Sequence, residues 1–171
     1  MFKRLLGSSL LLTSLLGFSH LAIAADVKIG VVDAQVIIQK SPEYQQLNAQ
    51  LQNKFKPRQE KLMAAKKTLQ AEMQDFSKNQ AVMKAEDQAK LKNKIIADQQ
   101  GYESQVDTFR NDVNQERNKD MQHFMEKVQA SVNTVAKQGQ YNFVLYKAAV
   151  PYMDAGTDLT QQVLDAMSHS N

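Results

Sequence analysis

The chain has no cysteine. That excludes disulfides, a thiol nucleophile and the acceptor for a bacterial lipid anchor. Turn-forming residues are almost missing from the middle: residues 43–138 hold one glycine, Gly101, and one proline, Pro57. Past residue 24, no segment approaches the ~18 apolar residues of a membrane-spanning helix. There is no G-x-S-x-G motif, no H-E-x-x-H arrangement and no glycine-rich phosphate loop. His20 lies in the opening segment, His123 stands alone in a helical stretch and His169 is among the last three residues. Asp154 and Asp158 are spaced as turn and cap residues rather than metal ligands. The expectation is a protein without catalytic residues, metal or cofactor, and therefore not an enzyme.

Strong charge of one sign is also lacking. Lys3 and Arg4 belong to a leader, so 19 of the 21 basic residues face 18 acidic ones in the rest of the chain. A nucleic-acid binder keeps a marked basic excess, so no nucleic-acid partner is expected. The leader itself is "MFKRLLGSSLLLTSLLGFSHLAIAAD": two cations, a mostly apolar run broken by serines, and Ala22-Ile23-Ala24 as a small-residue cleavage site. This pattern is a secretory signal peptide, residues 1–24, and predicts a periplasmic product.

What remains is dominated by Ala, Gln, Lys, Asn, Asp, Glu and Met. Ser41-Pro42-Glu43 is a helix start, with an N-cap hydroxyl, proline at the first helical position and an acid in the first turn. Apolar residues then recur at helical spacing from Tyr44 through Leu47, Leu51 and Phe55 to Phe76, with Pro57 as a kink or junction. A second stripe runs from Leu91 and Ile95 through Phe109 and Val113 to Val128, Val132 and Val135. The weak stretch between them, near residues 77–89, reads as a tip. Residues 43–138 therefore predict an antiparallel helical hairpin of coiled-coil type, an arm of roughly 35 to 40 residues and ~50 to 60 Å.

Its seam is poorly filled: Arg58, Ala65, Gln80, Asp98 and Glu116 stand at or near positions where a large apolar residue is expected. They fit either ordinary coiled-coil imperfection or an arm that bends and splays. Charge is uneven as well: residues 54–94 carry eleven basic and five acidic groups, residues 98–126 three and seven. Helix-to-helix attraction accounts for part of this. A basic tip region open to an acidic partner is the other reading.

Periodicity changes at both ends. Val27 to Asp33 reads as a strand followed by a short helical segment. Beyond Gly139, a helix C-cap, "YNFVLYKAAVPYMD" puts Tyr141, Phe143 and Leu145 on one side of a strand. A further strand around Ala149–Met153 is restricted to an edge by Pro151. A last short helix has Asp158 as its N-cap and Leu159, Val163 and Leu164 as its face. Residues 25–42 and 139–171 thus predict a small three-stranded α/β body in which the terminal hairpin pairs with the amino-terminal strand. The whole is mainly α with a small β body. That body is too small to bury its apolar residues alone, so self-association through Ile29, Val31, Phe143, Leu145 and Val150 is expected.

The chain resembles the Skp family of periplasmic chaperones, also called OmpH, over nearly all of its length after the leader. The resemblance is carried by "KIGVVDAQVIIQKSPEYQQLNAQLQNKFKPRQEKL", "FRNDVNQERNKDMQ" and "VNTVAKQGQYNFVLYKAAVPYMDAGTDLTQQVL". It implies a homotrimer with a β-rich trimerisation body and three helical arms around a cavity. It also implies an ATP-independent holdase that keeps unfolded outer-membrane β-barrel proteins from aggregating before insertion. Pro57 stands where relatives carry Gly in "FKGR". A membrane-surface or lipopolysaccharide contact is a further implication, but Gln105, Gln115 and Glu116 replace the basic residues proposed for it in the family.

Along the arms, Met63, Met83 and Met121 suit adaptable client contacts, while Met73 and Met125 fit the seam. Lys78, Lys84, Lys90, Lys92 and Lys94 suit electrostatic capture of acidic clients. A rival from another class is a structural coiled-coil spacer of the cell envelope, which would need a stiff, regularly filled seam.

Overall fold

The computed structural model describes residues 27–169, so the leader lies outside the described residues. The first strand, β1 (Ile29–Val32), ends at Asp33. The Asp33 carboxylate accepts the N–H groups of Gln35 at 3.1 Å and Val36 at 3.2 Å, opening helix α1 (Ala34–Lys40). Ser41 joins two helices. Its N–H donates to the Ile37 carbonyl at 2.9 Å and closes α1, while its hydroxyl accepts from the Tyr44 N–H at 3.3 Å and opens the next helix.

That helix, α2 (Pro42–Asn79), has Pro42 at the first position, where a missing N–H costs nothing. It is one helix through Pro57 rather than two pieces. Pro57 and Asn53, whose carbonyl loses its N–H partner, are both exposed, so water can satisfy that carbonyl. A 3₁₀ turn (Gln80–Val82) reverses the chain into α3 (Ala85–Gln138). At 1.5 Å per residue, the 38 residues of α2 span about 57 Å and the 54 of α3 about 81 Å. The excess length of α3 carries Phe124, Val128, Val132 and Val135 into the body.

Gly139 caps the end of α3 as expected, but without the left-handed backbone of a usual glycine cap. Gly139 has an ordinary φ of −85°, and Gln140 takes the left-handed conformation at φ 54°. Gln140 N–H bonds the Lys137 carbonyl and Tyr141 N–H the Ala136 carbonyl, the Schellman pattern. Gly139 is required for space: a Cβ there would sit 2.3 Å from the Tyr141 ring. Gln140→Gly is therefore expected to stabilise the fold by about 0.5–1 kcal/mol, the part of the left-handed penalty left after the entropy gained by the unfolded chain. Gly139→Ala should destabilise it despite its ordinary backbone. Urea titrations of both variants check the opposite signs.

Strand β2 (Phe143–Tyr146) lies parallel to β1, in the register Ile29↔Phe143, Gly30↔Val144, Val31↔Leu145 and Val32↔Tyr146. The expected third strand and terminal hairpin are not formed. Residues 147–149 make a 3₁₀ turn and 150–154 continue without ladder pairing. Pro151 has no N–H for a ladder, and a strand reached through a helical crossover meets β1 in parallel. The other edge of β1 has a single bridge, Val31↔Asp158, with the Leu159 N–H on the Val31 carbonyl at 2.8 Å.

Helix α4 (Thr160–Ser168) follows a 3₁₀ turn at Ala155–Thr157. Leu159, not Asp158, holds its cap position, although the Asp158 carboxylate accepts the Thr160 N–H at 2.9 Å. Val32, Ile37, Phe124, Val128, Leu159 and Val163 form the centre of one core, each 2 % exposed or less.

Candidate interaction surfaces

The β1–β2 register sorts the sheet residues into two faces. Gly30, Val32 and Val144 turn toward the core, and Gly30 lies so close to Leu159 that a Cβ would come within 2.2 Å of it. On the other face stand Ile29, Val31, Phe143 and Leu145. Val31 is buried at its bridge with Asp158, but Ile29, Phe143 and Leu145 are 43 %, 60 % and 42 % exposed. Val150 is half-buried outside any strand, and Val27 and Tyr152 add further exposed apolar surface in the body.

Tyr141, expected beside Phe143 and Leu145, packs on the core instead, with the Lys28 ammonium 4.3 Å from its ring centre. The left-handed step at Gln140 precedes it and β2 begins only at Phe143, so strand alternation does not reach back to Tyr141. Among the described residues β2 pairs only with β1, which leaves its outer edge open. An apolar face thus lies next to an unpaired strand edge, the two features that make a sheet able to pair with another chain.

The arm is held together differently from a filled coiled coil. Leu51, Leu62, Leu69 and Ile95 are its buried seam residues, and Phe55 meets Phe109 edge-on at 5.8 Å. The polar interruptions are largely paired. Lys54 meets Glu116 at 2.7 Å, Arg58 meets Asp112, and Lys94 bridges Glu72 at 2.6 Å and Asp98 at 2.7 Å. Nearer the body, Lys127 meets Glu43 at 2.5 Å. These groups are partly solvated, so each pair is weak and is screened by salt. The signal was present in the sequence: positions 43, 54 and 58 of one helix mirror 127, 116 and 112 of the other with opposite charge.

The proposed client-contact residues scatter. Met63 is 59 % exposed on α2, whereas Met83 is half-buried at the tip and Met121 packs against the core. Met73, expected in the seam, is largely exposed, and Met125 packs on the core. Lys90 pairs with Glu86 one turn away, and Lys94 lies in the Glu72–Asp98 cluster. Lys78, Lys84 and Lys92 are exposed and make no ion pair among the described residues. Val82 in the tip turn, the most exposed large apolar side chain among the described residues, has no periodic signal to mark it.

Among the described residues, three groups are electrostatically displaced. The Asp98 and then the Glu72 carboxylates raise the Lys94 ammonium, and Lys54 lowers the Glu116 carboxyl. The Val36 N–H and then the Lys147 ammonium, 3.1 Å away, hold the Asp33 carboxyl below its ordinary value. Asp33 also ties β1 to α4, because its N–H donates to the Thr160 hydroxyl at 2.9 Å. A depressed carboxyl stabilises the fold above its unfolded pKa of about 4 and loses that contribution as pH falls through the lower folded value. Asp33→Asn keeps a capping oxygen but no charge. It should cost about 0.5–1 kcal/mol at pH 7, and the gap should close below about pH 4. Thermal melts across this range check the sign.

No helix among the described residues is long and apolar enough to cross a membrane. The family model for outer membrane protein (OmpH-like) matches residues 28–167. A chaperone protein Skp of Yersinia enterocolitica is 31 % identical over 137 residues, covering 80 % of this chain and 84 % of the relative. The chaperone protein Skp of Escherichia coli K12 is 28 % identical over 142 residues, covering 82 % and 86 %. A solved OmpH-like structure from Caulobacter crescentus superposes with a TM-score of 0.75 at 12 % identity, over 99 % of this chain and 91 % of that one.

Proposed function

The chain belongs to the OmpH-like outer membrane protein family, and from that premise we propose that it is an ATP-independent holdase chaperone of the periplasm. It receives unfolded outer-membrane β-barrel proteins between arms that a homotrimeric body sets side by side. In this reading residues 25–42 and 139–171 are the oligomerisation body, residues 43–138 the arm, and residues 1–24 a cleaved export signal. The observation that carries it is an arm about 57 Å long, held by partly solvated ion pairs and leaving Met63, Met73 and Ile96 exposed on its two helices. An unfolded barrel strand exposes alternating apolar residues and unpaired edges. Many weak contacts hold such a chain by effective concentration without fixing one conformation. Thioether side chains adapt to each segment in turn.

The exposed sheet face and open β2 edge support the assembly. Closing both against other copies satisfies the backbone edge and covers Ile29, Phe143 and Leu145. Steering by Lys78, Lys84 and Lys92 raises the rate of capture of acidic clients rather than the strength of holding.

Native mass spectrometry of the processed protein, alone and after dilution with a urea-unfolded β-barrel in the absence of nucleotide, tests the whole reading. The expected result is a trimer that gains one client mass while the client stays soluble. A trimer that ignores a precipitating client would overturn the holdase and favour a structural spacer.

A further inference from the structure

The hairpin has a groove of about 500 Å³ on the arm, floored by Leu51, Phe55, Phe109 and Val113. None of the residues of the Lys54–Glu116 and Arg58–Asp112 pairs lines it. Its charged lining residues are Lys56 and Arg117, with amide side chains of α2 beside them and no acid. Among the described residues neither Lys56 nor Arg117 makes an ion pair, although the neighbouring Lys54 and Arg58 each have a charged partner.

We infer that this groove is a docking site for an extended polypeptide segment in which an aromatic side chain lies between carboxylates; the inference rests on the holdase reading and names the client chemistry that one site on the arm prefers. Phe55 and Phe109 are only half-buried and meet edge-on, so they present a wall on which a third ring can tilt. The lining runs from Leu51 to Gln59 on α2, about 12 Å of helix. That length matches three to four residues of extended chain at about 3.3 Å each. Two cations with no acid beside them match acidic groups flanking the ring. The amides offer donors and acceptors to a peptide backbone, which a lipid tail would leave unused.

Fluorescence anisotropy with three labelled octapeptides tests this on the processed protein: Phe between Asp residues, Phe between Lys residues, and Ala between Asp residues. The Asp-flanked Phe peptide should bind best. Lys56→Glu combined with Arg117→Glu should weaken it about tenfold, a change of 1.4 kcal/mol. Lys66→Glu combined with Lys67→Glu makes the same charge change on exposed residues outside the groove and should leave binding nearly intact. Equal losses in the two double variants, no preference for Phe over Ala, or displacement of the peptide by anionic phospholipid vesicles would each overturn the inference. Suppression of barrel aggregation is measured on the same proteins. If wild type suppresses aggregation while the peptide pattern fails, the groove assignment falls and the holdase stands. If wild type does not suppress it, both fall.

Discussion

Phe143→Asp combined with Leu145→Asp is expected to convert the proposed trimer into monomers that keep their helical content. In the single chain both side chains already meet solvent and lie on the sheet face away from the core. Their replacement therefore removes little from the fold of one copy. In an assembly that covers this face, each lost side chain forfeits about 1.5–3 kcal/mol of apolar burial, and each new carboxylate must be desolvated as well. Two such positions per chain lower each association constant by at least about a hundredfold, since 1.4 kcal/mol is tenfold. Sedimentation velocity at micromolar protein reads the change and far-UV circular dichroism confirms the helices. An unchanged oligomer would remove this face from the interface. A matching variant on the arm, Met63→Asp, should leave the mass of the assembly alone, because Met63 lies on α2 well away from the body. With the double body variant monomeric, client holding should drop too, because effective concentration inside a cavity requires several arms.

How far this surface was legible in the sequence depends on the range of the interactions that make it. Helix starts and the hairpin were readable because they rest on local rules. Ser41, Pro42 and Glu43 act within one turn, and the apolar spacing repeats along each helix. The alternation that set Ile29 with Val31, and Phe143 with Leu145, is equally local, but that the two pairs share a face follows only from the β1–β2 register. The partner strand and its direction were not local. A hairpin was the natural guess for the terminal segment, but β2 returns through the whole helical arm and so pairs in parallel, while Pro151 keeps the following residues out of the ladder. Gly139 was marked correctly as a helix end for an incorrect reason. Its role is to admit the Tyr141 ring, a contact that no capping rule contains. The groove on the arm was invisible for the same reason, because its wall is made by Phe55 and Phe109 from opposite helices.

The clearest omission from the periodic reading leads to the second large effect. The apolar stripe of α3 that runs from Val113 to Val128 passes over Phe124, a fully buried side chain. A single stripe is what a helix shows when it packs against one neighbour. At the root of the arm α3 is packed by α2 and by the body at once, so its apolar arc widens to include Phe124. There Phe124 meets the Tyr44 ring at 5.3 Å and joins the core shared by β1, α1 and α4. Phe124→Ala should cost about 3–5 kcal/mol, the range for deleting a buried aromatic ring. For a domain whose whole stability is about 5–15 kcal/mol, that is a large fraction. At about 2–4 °C per kcal/mol for chains of this size, the melting temperature should fall by roughly 10 °C. Phe76→Ala on the outer arm, where the ring is only half-buried, should cost less than half as much. Hydrogen exchange adds a spatial test. Loss of Phe124 loosens the joint between arm and body, so protection should fall first in α1, α4 and the Pro42 end of α2, with the Leu62–Leu69 stretch affected less. A melting temperature within about 2 °C of wild type, less than the shift from 1 kcal/mol, would contradict the central place of Phe124. It would mean that Tyr44, Val128 and Val163 close over the vacated volume without loss.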